Sequence, residues 1–392
     1  MNIFKNKLVL ASPLIALAII FIFSLTLFPS VQPQPKNLPI AIVNEDEGVQ
    51  LPEQPKMNMG EVIVEKMQMT SGDEAPAVKW VNVKSKEAVQ SGLDHQEYYA
   101  ALVIPNDFSA KQASLRTPDP ASPEVEIYIN QGMNTMAATA AGQILNGVVD
   151  NLNNTVREQL LDGFGKQSAT LTPQQVSKLV NPITKSVTNV NEIGTHSANG
   201  NSPVSLFQPL WMASMASAAV IYLAVSKRTA SSRREELVTR FMQILTGAVV
   251  ALVIGFGLTW IADGLIGFHI PDLSDTALFL SITSFSFFLM ISAILSLIGL
   301  RGMPLFVLML FFGAPLLAMA PEMMSSFYRD WFYSWLPMKF MVEGLRELFF
   351  FGKGLTWSSS VSTLVWIGLG SMLVILATAL KPHSAVEKTV EG

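Results

Sequence analysis

Cysteine is absent from all 392 residues, so the chain holds no disulfide framework, thiolate zinc site, iron–sulfur cluster or cysteine nucleophile. Charge is scarce as well. Asp, Glu, Lys and Arg make up 14%, against about 25% in an ordinary soluble domain. So few charges do not cover the surface of globular domains of this length, which argues against an ordinary cytosolic enzyme. The net charge of −4 offers no basic surface for nucleic acid. Apolar residues fill 50% of the chain, with 23 Phe, 7 Trp and a mean hydropathy of +0.38. That much apolar area excludes disorder, and a membrane protein remains.

Hydropathy divides the chain one plus five. Leu8–Phe28 is 21 residues without a charge, long enough for a hydrocarbon core of ~30 Å. Lys5 and Lys7 precede it, as in a signal peptide. The run exceeds the usual apolar length of such a segment and no small-x-small cleavage site follows, so an uncleaved anchor is expected. Five more runs are read as spans: Leu206–Val225, Phe241–Ala262, Thr276–Leu300, Pro304–Ala320 and Trp357–Leu380. Pro304 and Pro315 predict a kinked or tilted fifth span. With the N-terminus inside, the segments at the inner ends hold ten Lys/Arg against four acids, and the short outer loops four against seven. The Lys/Arg bias therefore places both termini in the cytoplasm.

The expected fold is an α-helical polytopic membrane protein of six helices, with an extracellular mixed α/β domain inserted between helices 1 and 2. Its parts are a cytoplasmic N-terminus and first helix (1–28), the outer domain (29–205), a five-helix membrane domain (206–380) and a cytoplasmic tail (381–392). The outer insert carries 12 Lys/Arg against 19 Asp/Glu. Strands are expected at Leu38–Val43, Val78–Val83, Ala100–Ile104 and Glu124–Asn130. Helices are expected at Ser85–Gly92, from Met133 to about Leu161, and around Gln174–Val190. The acidic turn Asn44–Glu47 invites calcium but lacks the spaced D-x-[DN]-x-[DN]-G loop, and a strand-end turn is the stronger reading. His95 and His196 have no ligand spacing and read as surface residues. Asn153-Asn154-Thr155 matches the glycosylation tripeptide on an unsuitable helix.

Several stretches resemble the YhgE/Pip family of bacterial membrane proteins. They are Leu38-Pro-Ile-Ala-Ile-Val-Asn-Glu-Asp-Glu-Gly48, Trp80 with Glu87-Ala88, Tyr98-Tyr-Ala-Ala-Leu-Val-Ile-Pro-Asn-Asp-Phe-Ser109, and Tyr128-Ile-Asn-Gln131 with Asn134. The last five spans resemble the membrane domain of type-2 ABC transporter permeases, with Trp335-Leu-Pro-Met-Lys-Phe-Met-Val-Glu-Gly-Leu-Arg-Glu-Leu348 similar to the segment before their final helix. The seven residues before the first span are too few for the amphipathic interface helix that many such exporters carry.

The permease resemblance implies an exporter, yet the chain has no G-x-x-x-x-G-K-[ST] loop, no H-E-x-x-H and no G-x-S-x-G. It is therefore read as a non-enzyme without a cofactor, and ATP hydrolysis would belong to a separate ABC ATPase subunit. The grip for that ATPase is expected in Lys227–Arg240, where Ser231 or Ser232 caps a short helix displaying Arg233, Arg234, Glu235 and Glu236, with Leu237 as an apolar contact and Arg240 behind. On composition alone the same stretch reads equally as a solvated positive-inside loop. Pro321–Thr356, rich in aromatics around Trp335 and Pro337, is expected to form short helices dipping into the outer leaflet, where Glu343 and Arg346 can pair at i,i+3. The spans contain no charge, against a proton-coupled carrier, and their Ser, Thr and Gly residues read as helix packing.

The resulting expectation is an export permease in the bacterial cell membrane, acting as a homodimer or beside a sister permease. Its cargo would be hydrophobic or amphiphilic: a drug, lipid or peptide. The alternative is a non-transporting surface receptor or secretion-apparatus scaffold of the phage-adsorption type.

Overall fold

The computed structural model describes residues 33–50, 55–69, 76–166, 170–228 and 232–380, with isolated residues between 13 and 25. The expected first span and the C-terminal tail lie largely or wholly outside them. The described residues divide into two compact units. One falls within Pro29–Gly194 together with Met319–Trp331, and the other within Met1–Phe28, Thr195–Ala318 and Phe332–Gly392.

The first unit is a five-stranded mixed sheet with helices on both faces. Its elements run β1 (Leu38–Asn44), α1 (Met59–Met69), β2 (Val78–Asn82), α2 (Lys86–Asp94), β3 (Ala100–Ile104), α3 (Phe108–Ser114), β4 (Glu124–Asn130), α4 (Thr135–Lys166), α5 (Pro173–Val180) and β5 (Thr184–Val190). The strand order is β2-β1-β3-β4-β5. β1 pairs in parallel with β2 and β3, β3 is antiparallel to β4, and β4 is parallel to β5.

β1 and β3 are continuous apolar runs because both their faces are covered. Ala41, Val43, Ala101 and Val103 pack under α2 against Val89, Leu93 and Tyr98. Ile40, Ile42 and Leu102, all within 2% of full burial, alternate to the opposite face. α4 lies there, with Gly142 against the Ile129 side chain. Ser85 caps α2, accepting from Ala88 N at 3.3 Å. Thr172 and Gln175 form a reciprocal capping box on α5.

The expected helix around Gln174–Val190 is half wrong. α5 ends at Val180, since Asn181-Pro182 cannot continue a helix. The β-branched run Thr184–Val190 adds instead to the sheet edge, its residues exposed apart from half-buried Val190. Helices α1 and α3 were not expected. Asn153 is buried, and its amide both donates to Ile183 O (2.9 Å) and accepts from Ile183 N (2.7 Å). It is thus a structural bracket and no glycosylation acceptor. His95 and His196 are exposed, as expected.

The second unit is helical: α6 (Phe207–Ser226), α7 (Arg233–Trp260), α8 (Leu273–Ile298), α9 (Met303–Leu317), α10 (Pro337–Phe350) and α11 (Ser359–Thr378). Four helical stretches among the described residues are long and apolar enough to cross a membrane: Ser202–Ser226, Arg233–Ile266, Leu273–Leu317 and Ser359–Thr378. The third joins the fourth and fifth expected spans through the turn Gly299–Gly302, where Gly299 adopts φ 72°. α9, with Pro315 inside it, is 15 residues long, short of the ~20 a spanning helix needs.

α8 is the centre of this unit. Of its most apolar 18-residue window 72% is buried, against 22–28% of the corresponding windows in the other three stretches. Gly247 of α7 meets the Phe288 ring and Gly255 meets Ser281, which fixes α7 antiparallel to α8 at close approach. Ser281, Thr283 and Ser286 donate to the carbonyls four residues earlier at 2.7–2.9 Å, and Ser214 Oγ meets Ser284 Oγ at 3.0 Å. The first three hydroxyls are thus satisfied within α8 itself, and the last links α6 to α8.

Candidate functional site

Three places carry the residues singled out by sequence. The first is the N-terminal end of α7. With 28 residues the helix is about 42 Å long, well beyond a hydrocarbon core of ~30 Å, so its polar first turns extend past the apolar part. Ser232 is the cap: it has extended backbone and accepts from Glu235 N at 3.2 Å. Ser231 lies outside the described residues. The separate short helix expected here does not form. No glycine or proline interrupts Arg233–Phe241, and the segment simply continues into the span.

Arg233, Arg234, Glu235 and Leu237 are exposed, whereas Glu236 and Arg240 turn inward. Arg240 pairs with Glu236 at 2.8 Å, both side chains at most 20% exposed, and its other terminal nitrogen donates to Gln243 Oε1 at 3.2 Å. Gln243 is 2% exposed, with no partner for its amide nitrogen among the described residues. The spacing of Glu236, Arg240 and Gln243 puts them on one helix face. Sequence reading missed Gln243 because it sits inside an apolar run. Lys227 and Arg228, following α6, line an open cavity of about 730 Å³ together with Arg234 and Glu235.

The second place is α10. The expected outer segment is split between the units, residues up to Trp331 belonging with the sheet and those from Phe332 with the helices. Pro337 starts α10, where its missing N–H costs nothing. Trp335 ends the preceding turn, 54% exposed. Lys339 donates to Ser334 O at 2.8 Å and lies 4.8 Å from the Phe340 ring centre. Glu343 is half-buried, and Arg346, one turn later, is 5% exposed. Gly344 approaches the Phe279 ring so closely that a Cβ would lie 2.3 Å from it.

The third place is the acidic turn of the sheet unit. Asp46, 7% exposed, accepts from Ser109 N (2.9 Å), Gly60 N (3.1 Å) and Gly48 N (3.2 Å), and from the Ser109 hydroxyl. One carboxylate thus ties β1 to the first turns of α1 and α3. Asn44 and Asn58 close the knot: Asn58 donates to Asp46 O at 2.7 Å, and Asn44 Oδ1 accepts from Asp46 N at 3.1 Å. Its oxygens are spent on protein donors, and no group of three metal-ligating side chains occurs among the described residues. The turn is structural.

Other residues of the family-like stretches act similarly. Asn130 is fully buried, donates to Leu93 O (2.7 Å) and accepts from Asn191 (3.1 Å). Asn134 caps α4 through Ala137 N at 3.1 Å. Near them, Lys86 bridges Glu126 at 2.6 Å, and Tyr128 donates to the same carboxylate. Burial pushes the Glu126 carboxyl up, but the Lys86 and Tyr128 hydrogen bonds outweigh it and hold it below the ordinary range. Lys86 is raised in turn, first by its own hydrogen bond to Glu126 and then by one to Tyr128.

Apolar helices of spanning length beside a mixed α/β unit define a membrane protein. The chain belongs to the family described as protein of unknown function (DUF3533), whose profile matches residues 12–357. It is also similar to the uncharacterized protein YhgE of Bacillus subtilis (strain 168), with 24% identity over 123 residues. That match covers 31% of this chain and 15% of the relative's length. No solved structure matches.

Proposed function

We propose that the protein is the permease subunit of an ABC-type exporter in the bacterial cell membrane, driven by a separate ATPase chain. The observation that supports it best is the N-terminal extension of α7. A capped, rigid helix carries exposed Arg233, Arg234 and Leu237 beyond the apolar span, while the Glu236–Arg240–Gln243 chain ties the same turns to the helix interior. A pull on the exposed residues reaches the α7–α8 contact without a flexible joint between them. Both termini and this corner face the cytoplasm in this reading, and the sheet unit lies outside. Two chains, alike or sister permeases, enclose the path, and the cargo is hydrophobic or amphiphilic.

The test is a pull-down from detergent-solubilised membranes, comparing the wild type with an Arg233/Arg234/Leu237→Ala variant. Glu236 is left intact because its loss would strand Arg240. Recovery of an ABC ATPase with the wild type alone supports the reading. Absence of any ATPase, with surface or phage partners retained, favours a non-transporting receptor or scaffold.

A further inference from the structure

The corner between α6 and α7 concentrates positive charge. Lys227 and Arg228 follow α6, Arg234 stands in the first turn of α7, and all three line the open cavity of about 730 Å³, where Glu235 is the one acidic lining residue among those described. None of the three cations forms an ion pair among the described residues, whereas Arg240, further along the helix, is held by Glu236. Helix stability does not account for Arg234, since the dipole disfavours a cation in the first turn. Ser232 adds a hydroxyl that accepts from Glu235 N and keeps its own proton for a further acceptor. Arg233 and Leu237, which carry most of the proposed ATPase contact, do not line this cavity.

The cavity opens onto an apolar stripe. Val238 lines it, and Met242, Leu245, Val249, Val253 and Phe256 follow at intervals of three or four residues, on one face of α7. All six are exposed. The stripe is about 27 Å long, more than the ~15 Å of one leaflet, half of a hydrocarbon core. A molecule that meets both parts carries an anion at one end and apolar chains at the other. Three cations facing one carboxylate attract a headgroup of net negative charge and repel the ammonium of a zwitterionic one. Guanidinium forks match phosphate oxygens, and basic pockets beside membrane helices suit lipid phosphates. We propose that this corner is a binding site for an anionic phospholipid. Its phosphate accepts from Lys227, Arg228 and Arg234, and its acyl chains lie along the α7 stripe. The site requires only that α6 and α7 lie in a membrane, and it stands without the permease reading.

The test is native mass spectrometry of the detergent-solubilised full chain, titrated with phosphatidylglycerol or with phosphatidylcholine. The wild type should retain phosphatidylglycerol well above phosphatidylcholine. A Lys227→Gln/Arg228→Gln variant should bind phosphatidylglycerol about thirty-fold more weakly, as expected for two surface cations. Both positions are exposed, and a thermal melt checks that the variant is folded. Arg301→Gln removes an exposed cation beyond α8 and should change nothing. Equal retention of the two lipids, or an equal loss in Arg301→Gln, would show diffuse surface charge and overturn the site. Inorganic phosphate added as competitor separates the two sources of the anion: it should displace the lipid poorly, and complete displacement would assign a free phosphate instead. Arg233, Arg234 and Leu237 are intact in the double variant, so ATPase recovery and lipid binding fail separately. Loss of ATPase recovery with lipid binding unchanged would give Lys227 and Arg228 to the ATPase and overturn the proposal.

Discussion

At the scale of residues, Asp46 joins β1 to α1 and α3 through one buried carboxylate. Its carboxylate receives four donors, three of them backbone amides. Asp46→Ala would leave buried N–H groups unsatisfied at a cost of about 2–4 kcal/mol. For a unit of this size that is a fall of roughly 5–15 °C in melting temperature. The variant should also release α1 and α3 to proteolysis, and added calcium should restore nothing. Calcium-dependent recovery would instead make the turn a metal site.

The Lys86–Glu126 pair offers a milder test. The folded Glu126 carboxyl is held below its ordinary range, so its contribution is fully present above that range and is lost as pH falls below it through the lowered folded value. The raised Lys86 keeps its contribution below the ordinary lysine range and loses it at higher pH. Lys86 is 46% exposed, so the pair is worth less than about 1 kcal/mol. Glu126→Gln should lower the melting temperature slightly at pH 7, and the gap should narrow as pH falls below the ordinary glutamate range of about 4.3. A gap that does not narrow as pH falls would show that the pair is not its source.

At the scale of elements, close helix approach is the sharpest claim. A Cβ at Gly255 would lie 2.6 Å from Ala277 O and 2.5 Å from Ser281 N, backbone atoms that cannot yield, while Gly257 faces open space. Gly255→Val should therefore cost about 2–3 kcal/mol and loosen the α7–α8 pair, whereas Gly257→Val should be tolerated. Unfolding in mixed detergent measures both, and equal effects would contradict this packing.

Legibility in the sequence followed the same physics. β1, β3 and β4 could be located because continuous or alternating apolar runs report burial directly. α4 was readable from its 3.6-residue period, and the apolar spans from their length. β5 is hidden in the sequence because the helical period of α5 runs on past Asn181-Pro182, and an exposed edge strand has no apolar face to announce it. α1 is only weakly apolar and is flanked by polar loops. The site was legible in part. Ser232 and the charges after it were visible, as was the lack of a breaker between them and the span, but the inward turn of Glu236 and Arg240 towards Gln243 is a matter of side-chain packing that no local pattern announces. The meeting of Asp46 with Ser109, 63 residues apart, is set by the β1–β3 pairing and by no local signal.

At the scale of the whole molecule, the proposed permease requires the sheet unit outside the cell and the α6–α7 corner inside, since only a cytoplasmic corner can meet an ATPase. Absence of cysteine makes this directly measurable, because any introduced thiol is the sole one. Lys84→Cys reports on the sheet unit and Arg233→Cys on the corner, both at exposed positions. On intact cells, a membrane-impermeant maleimide should label Lys84→Cys at once and Arg233→Cys only after permeabilisation. Labelling of Arg233→Cys on intact cells, with Lys84→Cys protected, would contradict the account.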